Sequence, residues 1–164
     1  MSGAAIGEYP LCIDTPDGPV TVMAAHKTVI CDDEVQRASV TLHLSGKAYA
    51  GHGSDTEYAL YELEKRLPEG CTLRCCLSCR HGHFCPVGDA DNEVFCVTDF
   101  EPRTKRDLYH VTEDEQERAA RSRTLFHLCD GWEAQSEETY TYTSYLEHTK
   151  RGYTNETDPD LAEA

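Results

Sequence analysis

The chain has 164 residues, with 30 acidic against 15 basic side chains and a formal net charge of −15. That charge repels phosphate backbones and argues against nucleic-acid binding. The length fits one compact domain with a tail, and no apolar run approaches the roughly 20 residues that would span a bilayer.

The first fifty residues read as β-structure. YPLCI (Tyr9–Ile13) and VTVMAAH (Val20–His26) flank the turn signal TPDGP, the pattern of a hairpin. Thr28–Cys31 is a further short strand. In VQRASVTLHL the alternation of Val40, Leu42 and Leu44 places those three on one face. SGKAYAGHGS reads as a glycine-rich loop. A helix follows: Ser54 and Glu57 fit a capping box, Leu60, Leu63 and Leu67 recur at helical spacing, and Pro68 and Gly70 stop it.

CTLRC (Cys71–Cys75) and VFCVTDF (Val94–Phe100) read as strands on either side of a cysteine-rich loop. Thr112 and Glu115 form a second capping box, opening a helix through TEDEQERAARSRTLFHLCDGW. TYTYTSYL (Thr139–Leu146) alternates like an edge strand. The expected architecture is α+β: an antiparallel β-sheet with two principal helices and a Cys-rich metal-binding loop between strands. Residues 1–150 form one domain containing the loop at 71–96, and 151–164 read as a disordered acidic tail.

Nine cysteines dominate the chemistry. MSGAAIGEYPLC has no basic n-region and no apolar h-region, so the expected location is the cytoplasm. There disulfides are rare and clustered thiols more often bind metal, and an odd count suits a disulfide framework poorly. Cys76 and Cys79 form a C-x-x-C pair, whose spacing lets two thiolates converge while the intervening N–H groups offset their charge. Cys85 and Cys96 follow, and four sulfurs meet the ligand count of a closed tetrahedral zinc site.

The expected metal ligands are therefore Cys76, Cys79, Cys85 and Cys96. Cys75, His81 and His83 are alternative ligands, and Arg74 and Arg80 are positioned to offset thiolate charge. An iron–sulfur cluster is the alternative cofactor, although the spacings do not match ferredoxin runs. Arg80 directly after Cys79 excludes the usual haem-attachment motif, and the pair follows a helix where a thioredoxin-type motif opens one. Cys12, Cys31, Cys71 and Cys129 read as small buried hydrophobes. No Gly-x-Ser-x-Gly, Walker loop or HExxH occurs, so no catalytic residue is assigned and the reading is non-enzymatic.

The stretch Leu67–Cys96 resembles an uncharacterised family of small bacterial proteins. The likeness lies in the Leu-Pro-x-Gly helix end (Leu67–Gly70), the Cys76/Cys79 pair, the Pro-x-Gly turn (Pro86–Gly88) and Cys96. Val87 stands where relatives carry an aromatic, and Cys85 where they carry a small polar residue. The resemblance implies fold and site geometry, leaves Cys85 open as a ligand, and implies no activity. The functional expectation is a zinc-stabilised bacterial interaction or accessory protein with an unidentified protein partner; the acidic surface reads first as a source of solubility and second as an attraction for a basic partner. The alternatives are an acidic immunity-type antagonist of a basic toxin or nuclease, and a thiol redox or iron–sulfur protein.

Overall fold

Residues 2–88 and 90–150 are described by the computed structural model, and the expected tail at 151–164 lies outside them. Three tight turns build the main sheet. Strands β1 (Ser2–Thr15) and β2 (Gly18–Cys31) pair antiparallel along their whole lengths, from Ser2↔Cys31 to Thr15↔Gly18. Pro16 and Asp17 make the reversal, as the TPDGP signal predicts. Asp32 and Asp33 both take left-handed backbone angles (φ 53° and 66°) and turn the chain into β3 (Glu34–Leu44). Ser45 and Gly46 (φ 52° and 81°) repeat the device into β4 (Lys47–Gly53). Two positive φ values in succession give a turn whose twist matches that of the flanking strands.

β5 (Thr72–Arg74) joins the far edge beside Cys12–Asp14, so the order is β4-β3-β2-β1-β5. Thr28–Cys31 is thus the end of one long strand. SGKAYAGHGS is a turn and a strand, where a loop was expected. Tyr49 packs against the rim of the core, and the buried position is Gly51, which carries no hydrophobic signal but admits a close neighbour.

That neighbour is α1 (Thr56–Arg66), laid across β3 and β4. Its buried Ala59, Leu60, Tyr61 and Leu63 form one core with Ala38, Val40 and Leu42 of β3 and with Leu11 and Ile13 of β1. The N-cap is Asp55, one residue later than expected, and its Oδ1 accepts the Tyr58 N–H at 2.9 Å. Ser54 is displaced from the cap because a second carboxylate holds the first turn from outside. Asp91 accepts both the Thr56 N–H (2.9 Å) and the Thr56 hydroxyl (2.6 Å). The same Thr56 oxygen accepts from His26 Nε2 at 2.8 Å, linking β2, α1 and the second half of the chain.

The second half is a smaller lobe of short pieces. A 3₁₀ turn (Cys76–Ser78) is followed by a sheet of β6 (Gly82–His83), β7 (Val94–Cys96) and β8 (Ser122–Arg123), in the order β6-β7-β8. Helix α3 (Glu115–Arg121) packs on β7 and on α2 (Lys105–Thr112), while α4 (Tyr145–Lys150) lies against α1. The described residues are α+β, with four helices in place of two principal ones. The single helix expected from Thr112 is broken because Thr112 ends α2, turning its hydroxyl back to the Leu108 carbonyl at 2.9 Å. Asp114 caps α3 instead, accepting the Gln116 and Glu117 N–H groups. Leu125 and Phe126 enter the core from irregular chain. TYTYTSYL runs as irregular chain into α4, since its neighbour β6 is only two residues long and offers no ladder to extend. Among the described residues no helix is long and apolar enough to cross a membrane.

A Cβ added at Gly51 would lie 2.0 Å from the Ala59 carbonyl oxygen and 2.4 Å from the Leu63 nitrogen. Both are helix backbone and cannot step aside singly. Gly51→Ala is expected to lift α1 off the sheet and to cost about 1–3 kcal/mol, the usual range for overpacking. The urea midpoint at unchanged slope measures it.

Candidate metal centre

The site begins where β5 ends. Cys75 points into the core, fully buried, and burial pushes its thiol up to about 12. It is the core-facing member of the Cys75–Cys76 pair. Ser78 ties the turn that follows, its Oγ accepting the Cys75 N–H (3.2 Å) and lying 2.8 Å from the Leu73 carbonyl, to which it donates. The chain then coils tightly: Cys79 N–H to the Cys76 carbonyl at 3.3 Å, Gly82 N–H to the Cys79 carbonyl at 3.2 Å. The Cys79 sulfur accepts the His81 N–H at 3.5 Å, the kind of bond that offsets thiolate charge. Gly82 is required here, because a Cβ would stand 2.3 Å from the Cys76 carbonyl oxygen.

Cys96 arrives through the hairpin of β6 and β7, paired opposite Gly82, with Val97 N–H on the His81 carbonyl at 2.9 Å. Its return therefore runs through β6, where pairing of the strands flanking the whole loop was expected. The thiols now act on each other. Burial pushes the Cys76 thiol well up, and negative charge on Cys75, Cys79, Cys96 and Cys129 adds to it. Burial raises Cys96 as well. There Cys79 and Cys129 add to the effect, while Arg123 and Arg121 oppose it.

Three of the four expected ligands, Cys76, Cys79 and Cys96, thus lie within electrostatic reach of one another. Cys85 is buried beside Phe84 and is not among the groups acting most strongly on Cys76 or Cys96. As placed, among the described residues, no group of three or more Cys, His, Asp or Glu side chains is disposed so that it could hold a metal ion.

The surroundings differ from expectation in two respects. Arg74 stacks over the Trp132 ring at 4.6 Å and pairs with Asp14, and Arg80 pairs with Glu101 at 2.7 Å. The cations beside the thiols are Arg121 and Arg123. Cys129, read as a buried hydrophobe, is exposed, whereas Cys12 is buried. The sequence signal missed is the turn Cys129-Asp130-Gly131, a cysteine directly before a glycine-centred reversal, closed by Trp132 N–H on the Cys129 carbonyl.

The two histidines separate clearly. His83 is buried, and its Nδ1 accepts the Tyr142 N–H at 3.0 Å, which places the ring proton on Nε2. Among the described residues, that Nε2 has no hydrogen-bond partner, and a metal there would have to displace its proton. His81 is held from the other side. Its Nε2 lies 2.6 Å from Glu133 Oε2 and donates to that carboxylate.

Comparison with protein-family models and with curated proteins returns no match.

Burial, and then His81, lower the His83 pKa to about 4 from an ordinary 6.5. Between those values the unfolded chain binds a proton that the native ring refuses, so stability is full above about pH 6.5 and declines toward pH 4. The slope is at most about 1.4 kcal/mol per pH unit. His83→Asn, whose Oδ1 can accept the same Tyr142 bond, is expected to flatten this decline in urea titrations run across that range. Gly82→Ala is expected to part the Cys76 and Cys96 backbones and to raise the alkylation rate of Cys96 severalfold, read by mass spectrometry.

Proposed function

We propose that this is a zinc-stabilised interaction or accessory protein that works by binding another protein and not by catalysis. The observation that carries the metal reading is that a tight turn and a two-strand hairpin bring Cys76, Cys79 and Cys96 within electrostatic reach of one another. Thiolates held so close repel one another, and a thiophilic divalent cation turns that repulsion into attraction. Zinc suits such a set because it imposes no redox chemistry and accepts a tetrahedral arrangement. Cys85, Cys75, His81 and Cys129 are the residues from which a fourth ligand could come. The same thiolates could also hold an iron–sulfur cluster, and visible absorption separates the two.

A basic partner is supported by a second feature. Asp33, Glu34, Asp55, Glu57 and Asp91 line one cavity of about 430 Å³ beneath the N-terminus of α1. Together with the net charge of −15, this favours an acidic antagonist of a basic protein as the form the interaction takes. The outer edge of β1 adds a docking edge, since β5 covers only Cys12–Asp14 of its 14 residues.

Anaerobically purified protein is expected to be colourless and to carry about one zinc per chain by elemental analysis. A metal-free or coloured protein would sink the zinc reading. Structural zinc is worth on the order of 10 kcal/mol in apparent terms at neutral pH. A strong chelator should therefore abolish amide-exchange protection at Cys76, Cys79 and Val97 while β1–β4 keep theirs.

A further inference from the structure

Cys129 lies 33 residues beyond Cys96 in the sequence, yet the backbone clamps its surroundings to the Cys76–Cys79 turn on both sides. Before it, the Cys76 N–H donates to the His127 carbonyl at 2.7 Å and the Leu77 N–H to the Leu125 carbonyl at 3.3 Å. After it, the Arg80 N–H donates to the Glu133 carbonyl at 2.9 Å, and the Gln135 N–H to the Ser78 carbonyl at 3.3 Å. Cys79 and Ala134 form an antiparallel bridge. The Trp132 indole N–H reaches the Cys75 carbonyl at 2.9 Å. Only Leu128 separates Cys129 from His127, a span of at most about 7 Å. Cys129 is therefore held over the turn, on the side where Cys76, Cys79 and Cys96 act on one another.

We propose that Cys129 supplies the fourth thiolate of the metal site, completing a set with Cys76, Cys79 and Cys96, and that Cys85 stays outside it. This rests on the zinc reading above. Binding must turn the thiols inward about their χ1 bonds, because as placed they do not form a shell. Four thiolates around a divalent ion leave two negative charges, and Arg121 and Arg123 stand next to Cys96 to offset them. Each thiol that binds releases its proton to solvent. The assignment also accounts for the exposure of Cys129: in the closed site its sulfur is a ligand.

The test uses the full chain, stripped of metal under reducing anaerobic conditions and titrated with zinc against a chromophoric chelator, and separately with cobalt. Cys129→Ser is expected to weaken zinc at least 100-fold and to reduce the thiolate-to-cobalt charge-transfer intensity by about a quarter. Cys85→Ser should leave both unchanged. Far-UV circular dichroism of each variant confirms that the main sheet has formed. Zinc should also slow iodoacetamide labelling of Cys129, located by peptide mass mapping, and chelator should restore it. If Cys85→Ser loses the metal while Cys129→Ser keeps it at wild-type affinity, this assignment is wrong and the zinc reading survives. If wild-type protein takes up neither zinc nor cobalt, the zinc reading itself fails, and this assignment with it.

Discussion

The smaller lobe depends on a backbone clasp between residues 76–80 and residues 125–135. Its strands are two or three residues long, too short for a ladder to hold the lobe unaided. What joins its ends is the run of hydrogen bonds from Cys76, Leu77 and Arg80 to His127, Leu125 and Glu133, returned by Gln135 to Ser78. The Gln135 side chain extends the clasp, its amide donating to the Leu77 carbonyl at 2.9 Å. The close approach of Gly82 to the Cys76 carbonyl then aligns β6, and through it β7 and Cys96. Each cysteine position at the site follows from this one contact between distant segments.

The clasped lobe is joined to the main sheet by buried polar contacts as well as by packing. His26, Thr56 and Asp91 form a chain in which each donor has an acceptor, and its ends lie on β2 and on the connection before β7. Burial lowers the His26 pKa while Asp91 opposes the shift, so the neutral imidazole suits its role as donor to Thr56. On the opposite side Glu64 accepts from Tyr145 at 2.6 Å and from the Leu73 N–H at 2.7 Å, joining α1 to α4 and β5. Its carboxyl is raised by burial, and these two bonds pull it back. Removing either partner from such a buried pairing leaves a desolvated group behind, which costs more than the bond itself contributes.

Local signals in the sequence were legible where local forces decide the outcome. The TPDGP reversal, the Val40–Leu42 face and the Leu60, Leu63, Leu67 stripe with its Pro68 stop all form as read. The failures have physical causes. β4 escaped notice because its buried residue is a glycine, chosen for closeness to α1 and not for hydrophobicity. Ser54 was read as the cap because Asp91, 37 residues away, cannot be seen from a local window. TYTYTSYL has strand propensity but no adequate partner edge. At the site, Cys76 and Cys79 are recognisable from spacing and Cys96 from its place after the loop. The neighbourhood of Cys129 depends on the clasp, and nothing in the local sequence announces a contact of that range. Arg121 and Arg123 were passed over for the same reason.

The order of synthesis gives the clasp a kinetic meaning. The first four strands and α1 lie within the first 66 residues and are joined by short turns, so their contacts are cheap to close and can form while the chain is still emerging. The cysteine turn at 76–79 appears next, but the segment it bonds to follows about fifty residues later. Through that interval reactive thiols stand beside a finished sheet with no partner strand to cover them. The nascent protein thus passes through a stage, set by chain order alone, in which its sulfur is most open to oxidation.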